Sequence, residues 1–204
     1  MRKAQTQIVS AILVVVIALF GLSAILPWSI NMIQKRKDTK SVDDVYNFFV
    51  LLDSKIRNVA ENGGEERLTL NVPGTLTINP YSDIESSSDS NSIIFTFTSK
   101  VSNIATGDWI PLNTPDTNSP GILGISPAGV IFGKANKEGN DLKIQYKLWY
   151  RSLKDSSTNK QFRISIKTPG GQTITTNNGM LKIQRLRSYL HGESLTITEI
   201  NIIV

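Results

Sequence analysis

The chain has 204 residues, with 22 Lys and Arg against 17 Asp and Glu, a single His and no Cys. Without cysteine there is no disulfide framework, no zinc ribbon and no thiol nucleophile. The net charge of +5 would point to nucleic acid only if basic residues clustered on a folded surface. Instead the whole excess lies in the first 40 residues, where Arg2, Lys3, Lys35, Arg36, Lys37 and Lys40 outnumber Asp38. The remainder is neutral overall, and no nucleic-acid partner is expected.

Between Lys3 and Lys35 no formally charged residue occurs, and residues 8–26 (IVSAILVVVIALFGLSAIL) are nearly all aliphatic. Nineteen residues at about 1.5 Å each approach the roughly 30 Å hydrocarbon thickness of a bilayer. The segment is therefore predicted to be a membrane-spanning helix. Pro27 removes a backbone donor and predicts a kink where the helix emerges, with Trp28 as an interfacial aromatic. A secretory signal peptide cut near Ser23-Ala24 is the alternative. The bulk of Leu22 and the continuation of the apolar run past Ala24 argue against it. Basic residues flank both ends, so positive charge alone does not orient the span.

The tetrapeptide Lys3-Ala4-Gln5-Thr6 stands directly before this run. A short basic leader ending in a small residue, then a polar residue, then the hydrophobic helix resembles the class III signal of archaeal type IV pilins and archaellins. The resemblance implies cleavage between Ala4 and Gln5 by a prepilin peptidase on the cytoplasmic side, removing the leader charge of Arg2 and Lys3. It further implies that one helix serves first as membrane anchor and later as filament core. A bacterial-type pilin would carry Glu just inside the cleavage site; here Gln7, Ile8 and Val9 stand there, so the archaeal version fits better.

Beyond the basic collar, Val42, Val45, Phe49, Leu52, Ile56 and Val59 are spaced 3, 4, 3, 4, 3, the stripe of an amphipathic helix. Ser41 is a candidate N-cap, with Asp43 and Asp44 in the first turn, and Asn62-Gly63-Gly64 a stop signal. Tyr46 and Phe48 lie off the stripe and are expected to face a neighbouring subunit.

From Arg67 the period changes to two. Residues 68–72, Pro73-Gly74 and residues 75–78 read as a hairpin with a type II turn. The order of helix, Gly-Gly, alternating strand and Pro-Gly also resembles archaeal pilin-like and archaellin-like proteins, extending the likeness to about the first 80 residues. Further strands are predicted at 92–99, 142–153, 161–167, 172–176, 180–187 and 195–204, separated by Gly, Pro and Asn turns. In the second of these Ile144, Tyr146, Leu148 and Tyr150 should be buried and Lys143, Gln145, Lys147 and Arg151 wet. Polar loops are expected at 81–91 and, rich in proline, at 107–127.

The neutral remainder is divided. Residues 41–133 hold four basic and 11 acidic side chains, and residues 134–204 hold 12 and five. Either the signs interleave and neutralise locally, or they lie on different faces, so that subunits stacked head to tail meet positive to negative.

Catalysis and metal binding find little support. His191 stands alone in a His-Gly-Glu turn, with no GxSxG sequence, no zinc-ligand spacing, no calcium loop and no glycine-rich phosphate loop. No enzyme activity and no cofactor are expected. Trp109 and Trp149 are candidate surface aromatics that could form a platform for glycans. No Asn-x-Ser/Thr sequon occurs, which speaks against a dense N-linked coat.

The reading is an α+β chain: a long N-terminal hydrophobic helix followed by an all-β antiparallel sandwich head. Its parts are a leader (1–4), the transmembrane and assembly helix (5–34), a collar with amphipathic helix (35–64) and the head (65–204). The expected function is a structural subunit of an archaeal pilus-like surface filament, with the membrane, copies of itself and the prepilin peptidase as partners, and surface-layer proteins or glycans as further ones. One alternative is an unprocessed, single-pass anchored head, resembling archaellum-associated anchors or surface-layer-binding proteins. The other is a membrane-tethered carbohydrate-binding adhesin.

Overall fold

The computed structural model describes the backbone of residues 2–82, 89–177 and 179–204, and the side chains of its long helix from Ile12 on, save Ala24 and Pro27. The chain divides into two compact units, 1–40 and 41–204.

One α-helix, α1 (Arg2–Asn62), carries residues of both units. It runs through the basic collar without a break, so Ser41 lies inside the helix and does not cap a new one, and Asp43 and Asp44 belong to no first turn. The helical assignment also continues across position 27. The expected kink at Pro27 concerns a side chain outside the described residues. At the other end the stop signal works as expected. Gly63 (φ 78°) and Gly64 (φ 86°) take the left-handed conformation open to glycine, and the Gly63 amide donates to the Val59 carbonyl at 2.9 Å.

Among the described residues twelve strands follow: β1 (Glu65–Thr69), β2 (Thr75–Asn79), β3 (Ser92–Ser99), β4 (Ile110–Pro111), β5 (Gly121–Ile122), β6 (Gly129–Glu138), β7 (Asp141–Tyr150), β8 (Ser152–Lys154), β9 (Gln161–Lys167), β10 (Ile174–Thr176), β11 (Met180–His191) and β12 (Leu195–Ile203). They form two six-stranded sheets. Sheet A has the order β1-β11-β12-β9-β8-β5, and sheet B the order β10-β2-β3-β7-β6-β4. The antiparallel head expected from the period-two pattern is present, with two parallel ladders added, β12 to β9 and β5 to β8.

The expected hairpin at Pro73-Gly74 does not form. β1 pairs with β11 in sheet A, whereas β2 pairs with β3 and β10 in sheet B. Pro73-Gly74 is a crossing between sheets, and Gly74 is not in the left-handed conformation that a type II turn demands. A Cβ at Gly74 would overlap the Phe95 ring and stand 2.7 Å from the Thr96 carbonyl oxygen, so glycine lets the chain pass close against β3. β6 is a strand that the alternation does not predict. Gly133 interrupts its pattern because Ile104 fills the space a side chain would take: a Cβ there would stand 2.6 Å from Ile104 Cδ1.

Within the second unit the helix and both sheets share one core. Val42, Val45, Phe49, Leu52, Ile56 and Val59 are at most 2% exposed and cluster with Ile78, Phe95, Tyr146 and Leu148 of sheet B and Leu181, Ile183 and Ile200 of sheet A. Each such side chain contributes about 1.5–3 kcal/mol through burial. Phe48 belongs here as well, contrary to the expectation that it faces a neighbour, and Tyr46 is half-buried against the same core. Phe48 packs edge-on to Phe49 at 5.7 Å and Tyr46 lies 6.4 Å from Tyr146. Two sheets surround more of the helix than a two-position stripe can cover, so the buried arc widens. Val50 and Leu51 are the apolar residues left outside.

One polar side chain joins the sheets. Asn91, buried and at φ 58°, donates from its amide nitrogen to the Tyr150 and Ile164 carbonyls, each at 2.8 Å, and accepts from the Ile166 amide at 2.8 Å. It completes the ladder of β9 beyond the short β8, where backbone groups would otherwise stand unpaired.

Candidate assembly helix and head surfaces

In the first unit the feature with chemical consequence is the bareness of the helix. Described large apolar residues between Ile12 and Ile33 are 40–72% exposed, on every side of the axis. The mean hydropathy reaches 2.4 and none of that window is buried within the molecule. At 1.5 Å per residue the stretch 12–33 is about 33 Å long, enough to cross a hydrocarbon layer. By length and composition this helix can anchor the chain in a membrane. Lys35, Arg36, Lys37 and Lys40 follow it directly on the same helix. The side chains of Arg2, Lys3, Ala4 and Gln5 lie outside the described residues.

On the head, the outer face of sheet B collects the two singled-out tryptophans. Phe132 and Trp149 have ring centroids 6.4 Å apart. Lys147 Nζ stands 5.4 Å from the Phe132 centroid and 4.5 Å from that of Trp109. Trp109, Lys147, Phe132 and Trp149 thus form a continuous row, with both tryptophans half-buried. Alternation correctly turned Trp149 away from the core face of β7. It did not predict that Lys147, expected to be wet, would be buried beneath Trp109 and paired with Asp89 at 3.2 Å. Trp109 reaches it from the loop before β4, a long-range placement that periodicity cannot show.

Arg151 departs further from expectation. It should have been a wet strand residue, yet its side chain is fully buried. The proline-rich segment folds over it: Nε donates to the Pro127 carbonyl at 3.0 Å, and Nη1 donates to the Asp116 and Asn118 carbonyls at 3.0 and 2.7 Å. Asp116 Oδ2 lies 3.3 Å from Nη1. Hydrogen bonds from the Asn118 amide and the Ser126 hydroxyl hold the Asp116 carboxyl below its usual range, with the Arg151 charge adding to the effect.

Among the described residues the two charged halves meet locally at Lys147–Asp89, Arg151–Asp116 and Lys182–Glu65. Other pairs stay within one half. On β12, Glu199 sits between Arg187 at 2.7 Å and Lys167 at 3.8 Å. The Arg187 hydrogen bond, more than the opposing effect of burial, keeps its carboxyl below the usual value. The signs therefore interleave in part.

His191 is exposed at the end of β11. Among the described residues no three His, Asp or Glu side chains gather to hold a metal ion. Comparison with protein-family models, with curated proteins and with solved structures gives no match.

Proposed function

We propose that the chain is a structural subunit of a pilus-like cell-surface filament of the archaeal type, its helix packing in the filament core and its β head exposed outside the cytoplasm. One observation carries this reading: the helix is apolar and bare on all sides from Ile12 to Ile33, and the same helix supplies the core of the head from Val42 to Val59. A helix apolar all round is stable only within a bilayer or among other apolar helices. Because α1 carries residues of both units, copies that gather through their helices bring their heads together as well. Lys3-Ala4-Gln5-Thr6, placed directly before the apolar run, supports removal of the leader by a prepilin peptidase before assembly.

Mass spectrometry of the protein isolated from its native membrane or shed filaments tests this. A mature chain beginning at Gln5, recovered in helical filaments by electron microscopy, is the expected result. A chain that retains Arg2 and Lys3 and stays in the membrane fraction would replace it with the permanently anchored head. The row of Trp109, Phe132 and Trp149 favours a second reading, a tethered adhesin that stacks sugar rings on sheet B. Glycan binding abolished by Trp149→Ala in an otherwise intact head would support it.

A further inference from the structure

Within the first unit the helix changes character at one level. From Ile12 to Ile33 its described large apolar side chains are exposed on every side, and Lys35, Arg36, Lys37 and Lys40, exposed as well, follow directly. No charged residue occurs between Lys3 and Lys35. A helix rises about 1.5 Å per residue, so residues 35–40 cover roughly 9 Å immediately beyond the apolar stretch. The headgroup layer on each side of a hydrocarbon core has a comparable depth, about 5–8 Å. When the apolar stretch fills the hydrocarbon, the four cations stand at the level of the lipid phosphates.

Around the axis the four are not equivalent. At about 100° per residue, Arg36, Lys37 and Lys40 fall within an arc of about 100°, whereas Lys35 projects roughly 150° from the middle of that arc. Ile33, 52% exposed, lies on the same side as the three, one turn below Arg36 and Lys37. The acid of this segment, Asp38, projects from the opposite side, where Gln34 Nε2 donates to its Oδ1 at 2.9 Å. One face of the helix thus presents three cations above an apolar side chain, and the neighbouring carboxylate belongs to the other face. From water inward, an anionic lipid has the complementary order, phosphate first and hydrocarbon beneath. The planar fork of arginine matches two phosphate oxygens at once, and lysines add point charges on long, adaptable stems.

We propose that Arg36, Lys37, Lys40 and Ile33 form a binding face for an anionic phospholipid, with the phosphate among the three cations and an acyl chain along Ile33. The proposal rests on the reading of α1 as a membrane helix and adds to it the class of lipid and the face that selects it. A zwitterionic lipid offers the same phosphate but carries its own cation, so it gains less from the basic residues.

The test reconstitutes the full chain in phosphatidylcholine vesicles with a trace of spin-labelled phosphatidylglycerol or, separately, spin-labelled phosphatidylcholine. Electron paramagnetic resonance gives the fraction of each label immobilised beside the protein. Immobilised phosphatidylcholine reports that the helix is in the bilayer, and the excess for phosphatidylglycerol reports the basic face. Association of phosphatidylglycerol about threefold or more above that of phosphatidylcholine is expected at low ionic strength, falling towards equality in about 1 M salt. The triple variant Arg36→Gln/Lys37→Gln/Lys40→Gln, which keeps a good helix former at each exposed position, should bring the ratio to about one. Lys35→Gln should retain most of it. Equal association of the two lipids, an excess that survives in the triple variant, or an equal loss from Lys35→Gln and Lys40→Gln would each overturn the proposal while leaving the membrane reading intact. The absence of any immobilised phosphatidylcholine would overturn both.

Discussion

The Tyr150 hydroxyl donates a 2.9 Å hydrogen bond to Oδ1 of Asp53, tying the end of β7 to the buried side of the helix. Arg57 Nε holds the other carboxylate oxygen at 3.0 Å. Burial raises the Asp53 carboxyl above its ordinary range, and the Arg57 charge and the Tyr150 hydroxyl oppose that rise without cancelling it.

Removing the hydroxyl with Tyr150→Phe leaves a buried carboxylate oxygen without its donor and should destabilise the head by about 1–3 kcal/mol. The pH dependence has a definite sign. A carboxyl whose folded value is raised binds protons more tightly in the folded state, so its contribution declines as pH rises from the unfolded value, about 3.9, through the folded one. Losing the hydroxyl raises the folded value further, so the penalty should grow between pH 4 and pH 7. Urea midpoints at the two pH values check this, and an equal penalty at both would refute the link to Asp53.

Gly129 makes room for the same carboxylate. A Cβ there would overlap Asp53 Oδ1 and stand 3.0 Å from Leu148 Cδ1. Gly129→Ala should cost about 1–3 kcal/mol through overpacking. Combined with Asp53→Ala, which clears the space, the two changes should be far from additive in a double-mutant cycle.

Asn91→Ala strips three hydrogen bonds at once, leaving the Ile166 amide and the Tyr150 and Ile164 carbonyls without that partner. A loss of about 3 kcal/mol or more is expected. Hydrogen exchange should rise first at Ile166, whose amide bonds to the lost side chain. Uniform acceleration across β9 and β12, without a local lead, would count against Asn91 as the joint between the sheets.

Val15→Asp places a carboxylate on the exposed apolar helix, where insertion scales assign roughly 2.5–3.5 kcal/mol against a central charge. Membrane fractionation should show loss of insertion, while the near- and far-ultraviolet signals of the head persist because its core begins at Val42. Normal membrane association and filaments from this variant would show that the helix is not the core of the assembly.

Much of the fold was legible because local pattern and burial agreed. The 3-4-3-4-3 spacing from Val42 to Val59 marks residues that are all buried, and the predicted strands at 92–99 and 161–167 coincide with β3 and β9. Legibility failed where a distant segment changed a residue's surroundings. Lys147 and Arg151 occupy positions that alternation assigns to water, and they are buried because Trp109 and the proline-rich segment fold over them. Residues 68–72 and 75–78 looked like partners because a Pro-Gly pair stood between them, but each ladder forms with strands more distant in sequence.

By itself the sequence determined what depends on spacing and composition: an uncharged helix long enough to cross a bilayer, an amphipathic continuation ended by Gly63-Gly64, and a β-rich head. These follow from local periodicity and backbone preference, which neighbouring residues carry with them. The tertiary structure decided which strands share a sheet, that Asn91 joins the two sheets, and that Arg151 is enclosed beneath the proline-rich segment. Those outcomes depend on contacts between residues tens of positions apart, where the burial of one segment sets the dielectric and the hydrogen-bond partners of another.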